Sequence, residues 1–313
     1  MSVPRGACRR LGIPTMIAAA MSVAAACSSP TDARAPAHHS RPPIDTATRP
    51  ATTPSAVLVG SGDIASCATR GDEATAALLD RIRGTVFTLG DNAYGSGSST
   101  QYAQCYAPSW GRHKRRTRPS PGNHDYFTSG AAGYFRYFGA AAGPAGVGYY
   151  SYDLKDWHII SLNSNADMRA TSRQVAWLEA DLAAHRKRCT LAYWHHPLFS
   201  SGSHGNDGRS RAVWQVLHRE GVDVVLNGHD HDYERFAPQR PDGTADATRG
   251  IREFVAGLGG HSRYGFTTVR RNSQKRYNAG YGVLKLELFP ASYRWSFVGV
   301  DGRVKDSGEG RCH

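Results

Sequence analysis

Short apolar runs alternate with amphipathic segments through the first two thirds of this sequence. Five of the runs have the length of a strand: residues 56–59, 86–89, 157–162, 190–194 and 222–226. Because apolar side chains fill both faces of these segments, they are typical of strands that are buried on both sides of a sheet.

Three of the intervening segments repeat apolar residues at helical spacing. The first is predicted to begin at Asp72, which would cap it, and to end near residue 83. The second opens on a capping box formed by Thr171 and Gln174. The third spans residues 209–220.

The C-terminal part changes character. Residues 254–257, 281–289 and 293–300 are strand-like and are separated by short turns. Alternating strands and helices that are followed by antiparallel strands predict an α/β sandwich. The functional residues of such a fold lie on loops at the carboxyl ends of strands.

Five polar blocks, most of which directly follow predicted strands, carry candidate chemistry. They begin at Gly62, Gly90, Gly122, His195 and Gly228. Their candidate metal ligands are two aspartates, a tyrosine, an asparagine and three histidines: Asp63, Asp91, Tyr94, Asn123, His195, His229 and His231. Carboxylates suit hard cations and imidazoles suit borderline ones. Ligands gathered from several strand ends predict a two-metal site, and such sites commonly cleave phosphate esters.

The N-terminus is predicted to be a signal peptide, residues 1–26. Three arginines precede an apolar stretch of about 16 residues, which is short for a membrane span. The sequence Ala24-Ala25-Ala26-Cys27 resembles a bacterial lipobox, so we expect Cys27 to be the lipidated first residue of an exported lipoprotein. Simple secretion and a retained anchor are the alternatives.

Residues 27–54 are rich in Pro, Ala, Ser and Thr, and are predicted to be a disordered tether. The remaining residues, 55–313, suffice for one domain. The net charge is +12, or +9 without the three arginines of the predicted signal peptide, and a basic surface favours phosphorylated substrates or anionic polymers. A generally basic, Arg-rich protein with no dedicated patch is the alternative. The basic run 112–118 lacks interleaved aromatic residues, however, so it is interpreted as a solvated loop and no specific nucleic acid is expected.

Four cysteines follow Cys27, and an even number in an exported domain suggests two disulfides. Three pairings are possible. Cys67 and Cys105 each lie shortly after a predicted metal-bearing turn, which favours joining them and leaves Cys189 for Cys312.

The polar blocks resemble those of the metallophosphoesterase superfamily and, within it, the purple acid phosphatases. Those enzymes carry Asp-x-Gly, Gly-Asp-x-x-Tyr, Gly-Asn-His-Asp/Glu, Val-x-x-His and Gly-His-x-His. The resemblance covers roughly residues 57–236 and is especially close over residues 222–235. It implies a calcineurin-like metallophosphoesterase fold, with two packed mixed β-sheets flanked by helices in an αββα sandwich. The chain resembles the small single-domain bacterial type.

Residue 65 separates the purple acid phosphatases from the rest of the superfamily, because most members have a ligand histidine where this chain has Ala65. Tyr94 stands where the purple acid phosphatases place a substitute ligand. The resemblance implies an Fe(III) site and a site for a divalent ion (Fe, Zn or Mn), bridged by Asp91. The Fe(III) ligands would be Asp63, Asp91, Tyr94 and His231, and those of the divalent ion Asp91, Asn123, His195 and His229.

Three more residues are expected to act in catalysis. His124 would protonate the leaving oxygen, and Asp125 beside it would orient the imidazole. His204 lies nine residues after His195, where the family often has a substrate-contacting histidine. The second histidine of the His195-His196 pair is interpreted as a variable position. No role is assigned to the remaining histidines, His261 among them.

The sequence therefore predicts an exported two-metal phosphoesterase that hydrolyses small phosphate monoesters through attack by a metal-bound hydroxide. A membrane would be involved only through a lipid on Cys27. A phosphodiesterase or nuclease with the same dimetal site is the alternative enzyme. A degenerate, non-catalytic binding lipoprotein is the non-enzyme alternative.

Overall fold

The computed structural model describes residues 53–313. The predicted signal peptide, Cys27 and nearly all of the predicted tether lie outside these described residues. Over residues 53–313, no helix combines the length and the hydrophobicity that a membrane crossing requires.

Thirteen strands form the frame of the described part of the chain. They are β1 (Ala56–Ser61), β2 (Thr85–Leu89), β3 (Thr117–Ser120), β4 (Tyr150–Leu154), β5 (Trp157–Ser161), β6 (Cys189–Tyr193), β7 (Val224–Asn227), β8 (Tyr233–Phe236), β9 (Arg252–Ala256), β10 (Ser273–Tyr277), β11 (Gly282–Phe289), β12 (Ser292–Gly299) and β13 (Val304–Arg311). The α-helices are α1 (Gly71–Arg81), α2 (Ser99–Gln101), α3 (Asn123–Tyr126), α4 (Ala132–Phe138), α5 (Arg173–Ala184) and α6 (Arg211–Arg219).

The strands build two mixed sheets. One has the order β13-β12-β11-β1-β2-β3, and the other has the order β10-β8-β9-β7-β6-β5-β4. In the first sheet β1, β2 and β3 are parallel, and β11 to β13 continue it as an antiparallel meander. In the second sheet β5, β6, β7 and β9 are parallel.

The main core lies between the two sheets, where Leu58 and Phe87 of the first pack with Leu191 and Phe254 of the second. The helices α5 and α6 cover the outer face of the second sheet. Helices α1 and α4 cover the outer face of the first sheet, together with Trp110. The layers are therefore helix, sheet, sheet and helix, which confirms the predicted αββα sandwich.

Local details differ from the predictions at two helix starts. Helix α1 begins at Gly71 after Arg70, so Asp72 lies in its first turn and does not cap it. Helix α5 is capped by Ser172, whose side chain accepts a hydrogen bond from the backbone N–H of Val175.

The expectation of a solvated loop at residues 112–118 is wrong in part. Residues Trp110–Arg116 form a 3-10 helix that leads directly into β3. The guanidinium of Arg116 donates to the carbonyl oxygens of Leu79, Ile82 and Gly84, at 2.5 to 3.1 Å. This arginine therefore satisfies carbonyls at the end of α1 and has a structural function.

Both favoured cysteine pairs are disulfide-bonded, Cys67 with Cys105 and Cys189 with Cys312. The second bond joins β6 to the C-terminal residues across 123 positions of sequence. Closing a loop of that length is expected to stabilise the fold by several kcal/mol, because it restricts the unfolded chain.

A buried histidine to which the sequence analysis gave no role lies between two aspartates, one buried and one exposed. His158 Nδ1 lies 3.0 Å from Asp153 Oδ1, and its Nε2 lies 2.8 Å from Asp181 Oδ2. Burial alone would lower the pKa of His158, but Asp181 and Asp153 outweigh it and raise the pKa above 6.5. His158 on β5 therefore joins this strand to Asp181 of α5 and to Asp153 of β4, and its protonated form is favoured.

We expect the His158→Asn variant to lose about 2–3 kcal/mol of unfolding free energy at pH 5, where the charged hydrogen bonds are complete. Because the folded-state pKa lies above that of the unfolded chain, this stabilisation is present below about pH 6.5 and is lost as the pH rises through the folded-state value. Urea denaturation of both proteins between pH 5 and 9 measures the difference. A difference that stays constant or grows with pH would contradict the assignment.

Candidate metal centre

The candidate ligands occupy equivalent places in the two sheets. Asp63, Asp91, His195 and His229 each stand two residues beyond a parallel strand, namely β1, β2, β6 and β7. Asn123 follows β3 at the start of α3. The carboxyl ends of parallel strands from both sheets therefore meet at one edge of the sandwich.

Three of these ligands have left-handed backbone conformations. The φ angle is +60° at Asp63, +50° at Asp91 and +70° at His229. Such angles are uncommon for residues other than glycine, and they concentrate at sites where a side chain must point in one direction. The turns after β1, β2 and β7 therefore hold strain that aims the ligands inward.

Close approach of the chain also explains the glycine before Asn123. A Cβ atom on Gly122 would collide with the backbone nitrogen and the Oδ1 atom of Asp91. A side chain at this position would consequently push the β3 loop away from the β2 loop and open the site.

The first group of ligand atoms surrounds the hydroxyl of Tyr94. The Tyr94 oxygen lies 2.9 Å from Asp63 Oδ1, 3.0 Å from Asp91 Oδ2 and 3.1 Å from His231 Nε2. A phenol has one proton, so it can donate to only one of these three acceptors. The crowding of acceptor atoms fits a cation at their centre.

The second group surrounds His195. Its Nε2 lies 3.1 Å from Asn123 Oδ1, 3.2 Å from His229 Nδ1 and 3.3 Å from Asp91 Oδ2. The other ring nitrogen, Nδ1, lies 2.6 Å from the carbonyl oxygen of Leu89, to which it donates. This hydrogen bond fixes the tautomer of the neutral ring and directs the Nε2 lone pair at the group.

The same oxygen of Asp91, Oδ2, belongs to both groups. The other oxygen, Oδ1, accepts a 2.8 Å hydrogen bond from the backbone N–H of His124. All seven predicted ligands thus meet in one buried cluster with a shared carboxylate between its halves. The donor set of carboxylates, phenol, amide and imidazoles fits two cations of the hard or borderline kind.

The pKa shifts within the cluster also favour a bound cation. Burial alone would raise the pKa of Asp91, but His195 and His124 hold it well below its usual range. Burial would lower the pKa of His195, but Asp91 raises it to about 9. Asp91 is therefore ionised, and it draws a positive charge into the centre, either a proton or a metal cation.

His124 lies at the edge of this cluster with its side chain 29% exposed. Its Nδ1 lies 2.7 Å from the carbonyl oxygen of Gly95, and its Nε2 lies 3.9 Å from Asp91 Oδ2. The ring is thus held by a backbone carbonyl, and Nε2 is the nitrogen on the side of the cluster.

The expected role of Asp125 in orienting His124 is not supported, because the carboxylate of Asp125 bonds elsewhere. Its oxygens accept from Tyr102 Oη at 2.6 Å, from the Gly122 N–H at 2.9 Å and from Asn92 Nδ2 at 3.0 Å. Burial and the neighbouring Asp91 raise the pKa of Asp125 to about 6. Asp125 therefore braces the loop that carries the Asn123 ligand.

The other predicted catalytic histidine, His204, lies against the second group. Its ring stacks on His229 with centroids 4.2 Å apart, and its backbone N–H donates to Asp230 Oδ1 at 2.8 Å. His204 is exposed, as a residue that contacts a substrate must be.

Sequence analysis missed the loop that follows β9, residues 259–264. His261 stacks on Tyr94 with ring centroids 3.6 Å apart, and Tyr264 stacks on His231 at 4.0 Å. Ser262 Oγ lies 2.5 Å from His231 Nδ1. This loop therefore holds two rings of the first group from outside, although no motif in the sequence marks it.

His196 is also closer to the cluster than its interpretation as a variable position suggests. A ligand atom of His196 lies within 4.8 Å of ligand atoms of His195 and His229. Its Nδ1 is hydrogen-bonded to Ser164 Oγ at 2.7 Å, however. Burial, followed by the charge of His195, lowers the pKa of His196 far below its usual range, so the ring is neutral.

Residues 59–233, more than half of the chain, match the sequence profile of the calcineurin-like phosphoesterases. The chain belongs to this family. It is a metallophosphoesterase, and the predicted resemblance to the purple acid phosphatases is confirmed by its relatives. It is 37% identical over 94 residues to purple acid phosphatase 22 of Arabidopsis thaliana, which is 28% of this chain and 22% of that protein.

Solved structures agree in fold. Purple acid phosphatase PPD1 from yellow lupin (Lupinus luteus) seeds has a TM-score of 0.68 at 19% identity, covering 81% of this chain and 53% of that one. A dimetal phosphatase from Danio rerio has a TM-score of 0.59 at 14% identity, covering 83% of this chain and 100% of that one. The aligned part of this chain spans about a fifth of the Arabidopsis relatives' length.

We expect the Asp91→Asn variant to retain less than one metal ion per chain, because it removes the charge that both halves of the cluster share. The amide keeps the shape and an acceptor for the His124 N–H. Elemental analysis of the purified protein measures the loss. Asp306→Asn, at a carboxylate of β13 that pairs with Arg235 and belongs to neither group of candidate ligands, is the control and should keep its metal. Two metals retained in Asp91→Asn would contradict the shared-ligand assignment.

Proposed function

We propose that this chain is an exported two-metal phosphatase that hydrolyses small phosphate monoesters in the manner of a purple acid phosphatase. The observation that carries the proposal is the double use of Asp91 Oδ2, which lies 3.0 Å from Tyr94 Oη and 3.3 Å from His195 Nε2. Two adjacent cation sites with one bridging carboxylate suit the in-line displacement at phosphorus.

The proposed first cation is Fe(III), held by Asp63, Asp91, Tyr94 and His231. Burial, followed by Asp63 and Asp91, raises the pKa of Tyr94 well above its usual value. Only a strong Lewis acid would displace the phenol proton in such surroundings. The proposed second cation is divalent, and its ligands are Asp91, Asn123, His195 and His229.

When bound, such a pair of metal ions supplies Lewis acidity that polarises the phosphoryl oxygens and activates the attacking water. The chain's own residues supply the rest. His124, fixed by Gly95 through Nδ1, is proposed to deliver a proton to the leaving oxygen from Nε2. His204, which stacks on His229 of the second group, is proposed to contact the phosphoryl oxygens.

Export is part of the proposal and is supported by the two disulfides, which persist in oxidising compartments. Lipidation of Cys27 and a flexible tether remain proposals from the sequence, as does the absence of a nucleic-acid partner. Labelling of the expressed protein with a radioactive fatty acid, lost in Cys27→Ser, tests the anchor.

Paired substrates test the reaction itself. The purified protein, loaded with iron and zinc, should hydrolyse 4-nitrophenyl phosphate faster than bis(4-nitrophenyl) phosphate, which has the same leaving group. A preference for the diester would favour the phosphodiesterase alternative. Metal-loaded protein that turns over neither ester would favour the non-catalytic binding protein.

We expect protein purified with iron available to be pink to purple, and Tyr94→Phe to be colourless with an unchanged fold. The colour would come from charge transfer between the Tyr94 phenolate and a ferric ion, which a divalent zinc ion cannot give. Absorption spectra between 400 and 700 nm measure it. Tyr264→Phe is the matched control, since that ring stacks on His231 outside the ligand group, and it should keep the colour. A colourless wild-type enzyme with full activity would refute the ferric site.

His124→Ala should keep both metals and lose about 10²–10⁴ of kcat, the usual contribution of a positioned acid. The loss should be smaller for 4-nitrophenyl phosphate, whose leaving group needs no proton, than for an alkyl phosphate. Steady-state kinetics on both substrates measure the difference. An equal loss on the two would assign His124 to positioning.

A further inference from the structure

Phe127 is placed unusually for an aromatic side chain. It is 64% exposed, and it is the one phenylalanine among residues 53–313 whose side chain is exposed. Its ring contributes little to the core, so folding alone does not explain its presence. It lies one helical turn after the candidate ligand Asn123.

The position of Phe127 is fixed by the backbone on both sides. Its N–H donates to the carbonyl oxygens of Asn123 and His124, at 3.1 and 3.3 Å. The next residue, Thr128, is hydrogen-bonded to the carbonyl oxygen of Ser96 through both its N–H (2.9 Å) and its hydroxyl (2.7 Å). The backbone that carries the exposed ring is therefore held at the rim of the site.

Phe127 stands at one end of a continuous row of rings that passes through the cluster of candidate ligands. Its ring centroid lies 4.6 Å from that of His124, and His124 lies 4.3 Å from Tyr94. His231 lies beyond Tyr94 at 6.0 Å, Tyr264 follows at 4.0 Å from His231, and His204 follows at 5.4 Å from Tyr264. Phe127 is thus the outermost ring on the side of His124.

The direction of the substrate follows from this order, given the function proposed above. The phosphoryl group must lie at the shared Asp91 ligand, and the leaving oxygen must lie at His124, which would protonate it. The organic group attached to that oxygen then extends past His124 towards Phe127. An exposed ring next to His124 can stack on an aromatic ring of the substrate or cover an apolar group of it.

We infer that Phe127 is a specificity residue that binds the organic part of the substrate and selects phosphate monoesters in which one or two methylene carbons separate an aromatic ring from the ester oxygen. The inference rests on the proposed function and adds the substrate class. Stacking of the two rings should improve kcat/KM about three- to ten-fold over an aliphatic ester.

The test compares 2-phenylethyl phosphate with butyl phosphate, whose leaving oxygens are both aliphatic and need the same protonation. In Phe127→Ala the kcat/KM ratio of the aromatic to the aliphatic ester should fall three- to ten-fold, chiefly through KM. Phe127→Tyr should keep the wild-type ratio. Val304→Ala, which removes another exposed apolar side chain on β13, is the matched control and should leave the ratio unchanged.

The remaining outcomes contradict either the specificity role of Phe127 or the proposed function of the chain. If Phe127→Ala displaced the His124 ring, the variant would lose activity equally on both esters. An unchanged ratio of the two kcat/KM values, with or without an equal loss of activity, refutes the specificity role and leaves the proposed function standing. If the metal-loaded wild type hydrolyses neither ester nor 4-nitrophenyl phosphate, the proposed function fails, and this inference fails with it.

Discussion

The structure depends on one carboxylate oxygen that serves two groups of ligands. Asp91 Oδ2 lies 3.0 Å from Tyr94 Oη and 3.3 Å from His195 Nε2, the atoms around which the two groups are arranged. The ionised Asp91 and the acceptor atoms near it are stable at these distances only with positive charge between them, either a proton or a metal cation. The turns that bring the candidate ligands this close are strained, as the positive φ angles of Asp63, Asp91 and His229 show.

The sandwich meets that requirement because its ligands stand on short turns after buried strands. Strands β1, β2, β6 and β7 end in residues without solvent exposure, so their carboxyl ends cannot move separately. Gly122 lets the β3 loop approach the β2 loop, and Asp125 braces it from behind. The arrangement of the metal centre is thus set by the packing of two sheets rather than by any single loop.

Because the candidate ligands follow buried strands, most of the metal centre could be predicted from the sequence. Four of the candidate ligands stand two residues beyond a buried strand, a spacing that can be recognised in the sequence, and the structure brings all seven candidates together. Asp125 was misread because neighbours on a helix point about 100° apart, so adjacency to His124 does not bring the side chains together. His261 and Tyr264 reach the site from a loop whose sequence carries no motif. Strand β13 was missed because its polar, glycine-rich residues are held by pairing with β12.

The two oxygens of Asp91 also tie the metal centre to the side of the site that meets the substrate. Oδ2 belongs to the ligand groups, while Oδ1 accepts from the backbone N–H of His124 at the start of α3. The next turn of the same segment presents Phe127. A rotation of the Asp91 carboxylate would therefore displace the proposed acid and the proposed specificity residue together. The loop after β9 acts on the first group through side chains instead, because Ser262 is hydrogen-bonded to His231 and the His261 ring stacks on Tyr94.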